Sequence, residues 1–199
     1  MATERLTLRR FRASDAPVLA AYRSDPEVAR YQSWDAPFPL EKAEAAVRDF
    51  AAGSPSGAGW FQYAIELTAE QTLIGDVAVR LHDNLRQAEI GFTLATAYQR
   101  RGYATEAVRA VLDRLFRVQR LHRVMGECDA RNARSAALLE RLGFTREGLL
   151  RQQTYLKGEW TDDLLYGLLA TEWPASRDLV EFGRVVPGEL HKISEDQPS

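Results

Sequence analysis

Glu89, Asn132 and Ser135, together with the loop Gln99-Arg100-Arg101-Gly102-Tyr103-Ala104, are the residues of this chain whose types and spacing suit chemistry. A carboxylate can take a proton from an amine or a water, and a hydroxyl can pass one on or hydrogen-bond a leaving group. The loop is suited to phosphate. The first N–H groups of a helix lack intrahelical partners and sit at the positive end of its dipole, so a glycine there lets a pyrophosphate approach while neighbouring arginines add charge. Asn132 and Ser135 stand at the start of a second helical pattern that ends at Gly143, with capping groups at one end and glycine at the other. Together these point to a nucleotide-bearing cofactor.

Taken alone, the loop is also readable as an ordinary solvated connection. It is not a P-loop, because no Lys-Ser or Lys-Thr pair follows the glycine. Nor is it the dinucleotide fingerprint, which needs three spaced glycines after a parallel strand. The elements around it must therefore support the reading. Alternation from Leu6 to Phe11 predicts a first strand, followed by short helices capped by Ser14-Asp15 and by Asp25-Pro26. Residues 31–39, with Trp34, Pro37 and Pro39, read as an irregular loop and 41–52 as a helix. Strands are expected over 60–67, 72–81 and 87–94, an antiparallel meander. Ala107, Val108, Val111, Leu112, Leu115 and Phe116 give residues 103–118 the spacing of a helix packed on a sheet. A strand over 122–128, a helix over 132–142 and a hairpin of 152–157 with 160–169, turning at Gly158, complete the pattern.

The whole-chain properties narrow the class. A single domain is expected over 1–174, with 175–199 a partly flexible C-terminal extension. The composition is that of a globular protein, 45% hydrophobic and 27% charged, and a net charge of −2 gives no basic footprint for nucleic acid. Phosphate recognition must then be local. Cys128 is the single cysteine, which excludes an intrachain disulfide and suits a reducing cytoplasm. The N-terminus shows no uninterrupted apolar signal region, and no stretch approaches the roughly 18 apolar residues of a membrane helix. His122 and Cys128 stand roughly 20 Å apart along one strand at about 3.3 Å per residue, so they form no local nucleophile pair. His82, His122 and His191 show no ligand spacing, and no metal is expected.

The combination carries more than its parts. Glu89-Ile90-Gly91-Phe92, then Gln99-Arg100-Arg101-Gly102-Tyr103-Ala104-Thr105-Glu106-Ala107, then Asn132-Ala133-Arg134-Ser135 with Leu138-Leu139-Glu140-Arg141-Leu142-Gly143-Phe144, resembles the GCN5-related N-acetyltransferase (GNAT) superfamily. The nearest branch looks like the ribosomal-protein-alanine acetyltransferases. The likeness runs from Arg5 to Trp173 and includes Lys157-Gly158-Glu159-Trp160 and Tyr166-Gly167-Leu168-Leu169. It implies an α/β fold of the mixed α+β kind: a mostly antiparallel sheet that splays at strands 4 and 5, flanked by helices.

The resemblance also implies roles. Acetyl-CoA would lie in the splay as co-substrate, its pantetheine amides pairing with the backbone of Phe92, Thr93 and Leu94 in a form of strand addition. Its pyrophosphate would rest on the N–H groups of Arg101, Gly102, Tyr103, Ala104 and Thr105, with Gln99 and Arg100 beside them. Ala104 stands where the family pattern also allows glycine, which leaves less clearance. Asn132 would cap its helix and touch the pantetheine arm. Ser135 would stand near the sulfur as proton donor, relay or hydrogen-bond partner, or else serve only as a polar residue at a helix start. A strand-four N–H near Leu94 would receive the oxyanion.

An exposed lysine amine titrates near 10.4 and an α-amine near about 7.8, so the first needs far more help from a base at neutral pH. Glu89 is the candidate base, acting through water, or alternatively a surface carboxylate or an arginine's structural partner. Tyr31, Trp34 and Asp35 in the early loop, with Tyr155 and Trp160 and also Asp162 and Asp163 in the last hairpin, form a candidate aromatic and acidic mouth for an amine, with plain packing as the alternative. The expected activity is acetyl transfer to a primary amine, either a protein N-terminus or a small amine such as an aminoglycoside or polyamine. A non-catalytic acyl-CoA sensor is the alternative, and a homodimer is left open.

Overall fold

A computed structural model describes residues 1–174; the expected extension over 175–199 and His191 lie outside the described residues. A seven-stranded sheet runs in the order β1-β2-β3-β4-β5-β7-β6. Its strands are β1 Leu6–Arg9, β2 Gly59–Leu67, β3 Thr72–Leu81, β4 Gln87–Leu94, β5 Arg123–Asp129, β6 Thr145–Leu156 and β7 Glu159–Leu169. Among the described residues every strand pairing is antiparallel except β4 with β5, which is parallel. That parallel pair holds for four residues only, from Gln87 opposite Arg123 to Ile90 opposite Gly126. Beyond it β4 continues along β3 to Leu94 and β5 continues along β7 to Asp129, so the sheet splits between them.

Helices cover both faces. On one face lie α1 Ala16–Arg23, α2 Pro26–Ala29 and α3 Leu40–Ala52; on the other lie α4 Tyr103–Asp113 and α5 Ala133–Arg141. The amphipathic spacing of α4 puts Ala107, Val108, Val111 and Leu112 at 0% exposure against the inward residues of β1 to β5. A smaller core of Phe11, Leu19, Tyr22, Val28, Val47 and Leu73 binds the other face. Two of the expected caps form: the Asp25 carboxylate accepts from the Glu27 N–H at 2.9 Å, and the Asn132 amide oxygen accepts from the Ser135 N–H at 3.2 Å. The expected Ser14-Asp15 cap does not form on α1, because the Asp15 carboxylate is taken by the Arg9 guanidinium and the Arg12 N–H.

Most boundaries fall within about two residues of the sequence expectation, and two differ by more. The helix expected over 103–118 is α-helical to Asp113 and then widens into a π-turn over Arg114–Val118, closed by the Gln119 N–H to the Arg114 carbonyl. The wider turn lets adjacent Leu115 and Phe116 both enter the core, and the Trp173 ring stacks on Phe116. The hairpin strand expected from Gln152 begins at Thr145 instead. Register shifts between Arg146 and Gly148 and between Leu150 and Thr154 break the two-residue period there, and β6 is a largely exposed edge.

Candidate functional site

The loop before α4 has a distinctive backbone. Arg100 (φ +62°) and Gly102 (φ +81°) both take left-handed backbone, Gly102 as N-cap of α4. The first helical bond of α4 is the Glu106 N–H to the Gly102 carbonyl at 3.0 Å, so the N–H groups of Tyr103, Ala104 and Thr105 precede any intrahelical partner. Arg5, just before β1, fastens this loop. Its Nε and Nη2 bond Glu106 Oε2 at 2.7 and 2.6 Å, its Nη1 donates to the Arg101 carbonyl at 3.0 Å, and its guanidinium lies 4.5 Å from the Tyr103 ring centre. The Thr3 hydroxyl and the Arg5 N–H also donate to Glu106. Partial burial works to raise the Glu106 carboxyl, but those hydrogen bonds and the Arg5 charge outweigh it and hold the group below the usual carboxylate range.

Beside the loop, β4 has an open edge. The Ala95 N–H bonds the Ile74 carbonyl and the His82 N–H bonds the Gln87 carbonyl. That phase directs the backbone of Glu89, Gly91 and Thr93 to β3 and the backbone of Phe92 and Leu94 to the side that β5 has left. Thr93 therefore spends its backbone on β3. The Leu94 carbonyl accepts from the Gln99 side-chain N–H at 2.9 Å, and Gln99 Oε1 accepts from Arg134 at 3.2 Å. Gln99 is thus a brace between β4 and α5. Its partner Arg134 stands in the second motif, but its residue type and spacing assigned it no role.

A cavity of about 580 Å³ joins these parts, lined by Phe92, Thr93, Leu94, Gln99, Arg100, Gly102, Tyr103, Ala104 and Thr105 on one side and by Asn132, Ser135 and Arg134 on the other; its rim includes Tyr31 and Gln32. Arg101, whose carbonyl Arg5 holds, does not line it. The cavity thus brings most of the sequence-derived cofactor residues together. The unpartnered N–H groups, the left-handed pair and the free β4 edge suit a diphosphate followed by an amide-bearing arm.

A second cavity, about 880 Å³, opens where the sheet face beside α3 is uncovered, and it shares Gln32, Phe92 and Thr93 with the first. The two cavities therefore meet across β4 at the split. Glu89 lines the second, but its Oε1 is tied to Arg80 at 3.1 Å and to His82 Nε2 at 2.9 Å. Asp76 lies in the wall, 2% exposed, accepting from the Tyr22 hydroxyl at 2.6 Å with Arg23 Nη2 4.0 Å away. Burial pushes the Asp76 carboxyl up, against the pull of Arg23 and Tyr22. Arg23 itself packs over Trp34 at 4.2 Å, and the Trp34 indole N–H donates to the Arg23 carbonyl. Arg123 forms a two-pronged pair with Glu147.

The expected amine mouth is dispersed. Tyr31 lines the first cavity and Trp34 the second. Asp35 lines neither; its exposed carboxylate stands 3.9 Å from Lys157 Nζ, which also donates to the carbonyls of Ala29 and Trp34. Tyr155 and Trp160 are 62% and 60% exposed, face each other edge-on at 5.3 Å near the β6–β7 turn, and line neither cavity. Asp162 accepts from the Gln152 N–H, and Asp163 is buried. Among the described residues no group of three His, Cys, Asp or Glu side chains is placed to hold a metal, and no helix is long and apolar enough to cross a membrane.

A family model for the acetyltransferase (GNAT) domain matches residues 5–145, from the arginine that fastens the loop to the start of β6. The chain belongs to the GNAT acetyltransferase family. It is 30% identical over 171 residues, 86% of this chain and 97% of the other, to the uncharacterized N-acetyltransferase YnaD of Bacillus subtilis (strain 168). It is 33% identical over 88 residues, 44% of this chain and 45% of the other, to the [ribosomal protein uS5]-alanine N-acetyltransferase of Escherichia coli (strain K12). A crystal structure of a GNAT-family acetyltransferase from Bacillus anthracis superposes with a TM-score of 0.79 at 27% identity, covering 86% of this chain and 99% of that one. The split GNAT fold and acetyl-CoA-dependent N-acetyltransferase class expected from the motifs are those of this chain.

Proposed function

We propose that the chain transfers an acetyl group from acetyl-CoA, held in the cavity beneath Gly102, to the α-amine of a peptide or protein presented through the second cavity. One observation carries this reading: two cavities of different character share Phe92 and Thr93 at the point where β4 and β5 part. A carrier in one and an amine in the other would meet there. When bound, the carrier supplies an activated thioester. The chain's own part is to orient it along the Phe92 and Leu94 backbone, with the Leu94 N–H as donor to the developing oxyanion and the Ser135 hydroxyl as donor to the departing sulfur.

The α-amine is favoured on titration grounds. At pH 7.5 about a third of an α-amine is neutral, against about one lysine-type amine in a thousand, so the former asks much less of the protein. The likeness to a ribosomal-protein alanine acetyltransferase supports the same class. The test is release of free thiol from acetyl-CoA in the presence of peptides with varied N-termini, aminoglycosides and polyamines. Turnover with unblocked peptides and none with their N-acetylated forms is expected. Turnover confined to polyamines or aminoglycosides would overturn the acceptor assignment, and no thiol release with any amine would overturn the reading as a whole.

A further inference from the structure

Resting on that reading, we propose that Glu127 is the carboxylate that takes the proton from the acceptor amine, with Asp163 as the positioning residue beside it. Glu127 is the first β5 residue past the last β4–β5 pair, Ile90 with Gly126, so it stands at the split itself. Alternation along β5 puts Gly126 against Leu139 of α5 and turns Glu127 to the other face, where it lines the acceptor cavity as an exposed side chain. Glu89 stands three residues before Phe92, on the part of β4 still paired with β5.

The charges around the cavity separate the two carboxylates. Arg80 and His82 are taken by Glu89, Arg123 by Glu147, and Arg23 lies by Asp76 and the aromatic rings. On the same strand Asp129 is paired with Arg131. Among the described residues no cation forms an ion pair with Glu127. The groups that act on it are carboxylates: Asp163 on β7, 4% exposed and bonded by the Thr154 hydroxyl at 2.5 Å, and Glu89 on β4. Asp49 lines the same cavity from α3. Partial withdrawal from water, then Asp163 and Glu89, push the Glu127 carboxyl up, which makes its ionised form a stronger base than an ordinary surface glutamate.

The step balances without a further reactant. Ionised Glu127 accepts one proton from the ammonium, and the neutral amine then forms the C–N bond as the C–S bond breaks. The second amine proton ends on the departing thiolate through the Ser135 hydroxyl. Glu127 returns its proton to solvent, giving amide, free thiol and one proton overall.

The experiment measures thiol release with the best peptide acceptor across pH for the full chain and for Glu127→Gln, Glu89→Gln and Asp163→Asn, with coenzyme A affinity by calorimetry as the check on folding. In Glu127→Gln, kcat falls about a hundredfold or more and the acid limb of the kcat/KM profile disappears, while coenzyme A affinity stays within about twofold. Asp163→Asn removes a like charge, lowers the proton affinity of Glu127 and moves the acid limb to lower pH, a displacement that a purely structural role would not produce. Glu89→Gln keeps an acid limb. An active Glu127→Gln with its acid limb intact, or loss of that limb in Glu89→Gln alone, would overturn the assignment and leave the acetyltransferase reading standing; a wild type that releases no thiol with any amine would overturn both.

Discussion

Replacing Arg5 by alanine should loosen the phosphate loop from 96 positions away in the chain. The guanidinium makes two contacts to Glu106, one to the Arg101 carbonyl and one over the Tyr103 ring, at 42% side-chain exposure. Exposure discounts the ion pair to about 0.5–1 kcal/mol, and the carbonyl bond and ring contact contribute about 1 kcal/mol together. Glu106 keeps the Thr3 hydroxyl and the Arg5 N–H, so no carboxylate is orphaned. The expected destabilisation is about 2 kcal/mol, a Tm lower by roughly 4–8 °C.

Coenzyme A must then order a loop that was already fixed. Fixing about one residue costs roughly 1–2 kcal/mol, so Kd rises about tenfold. Loss of a positive charge near phosphate would weaken binding too, and Glu106→Gln separates the causes. It also frees the loop but removes a negative charge: fastening predicts weaker binding in both variants, whereas charge alone predicts tighter binding in Glu106→Gln. Calorimetric Kd values within twofold of wild type for a folded Arg5→Ala would refute the reasoning. As pH falls, the stabilisation held by Glu106, whose carboxyl is depressed in the folded state, is fully present above the ordinary carboxylate value of 4.5 and lost below it as the folded-state group takes its proton.

Gly75→Ala should be costly, because an added Cβ would lie 2.2 Å from the Thr93 carbonyl oxygen and 3.0 Å from Leu94 Cα, both backbone atoms. Parting β3 from β4 there costs about 3 kcal/mol, a Tm lower by roughly 6–12 °C, and a thermal melt within 2 °C of wild type would contradict it. Cys128 is half-buried on β5, where burial and nearby carboxylates push its thiol up to about 11. At pH 8 only about one thiol in a thousand is ionised, so alkylation timed by mass spectrometry should run far slower than for an exposed cysteine, and Cys128→Ala should keep full turnover.

The parts of the site that were legible in the sequence are those whose geometry is local. Gly102 precedes α4 and Asn132 precedes α5, and a helix start needs only its own few residues to declare itself. The split between β4 and β5 followed from family likeness. What stayed hidden depends on the register of distant strands. No local pattern connects Arg5 with Glu106, and Glu127 is distinguished from Glu89 by where the β4–β5 pairing ends and by the side chains that reach each of them. Gln99 is a phosphate-loop residue by position and a brace by contact. Tyr155 and Trp160 have the composition of a binding surface, yet their rings face each other across the β6–β7 turn. The early start of β6 was concealed because its register shifts erase the alternation by which a strand is read.

The most direct measurement is backbone amide hydrogen exchange, followed residue by residue, with and without coenzyme A. Slowed exchange on binding is expected at Phe92 and Leu94 on the open edge of β4 and at Tyr103 to Thr105 at the start of α4, with Thr93, whose amide already faces β3, little changed. Binding that leaves Phe92, Leu94 and the α4 start unprotected, or no binding at all, would contradict the account.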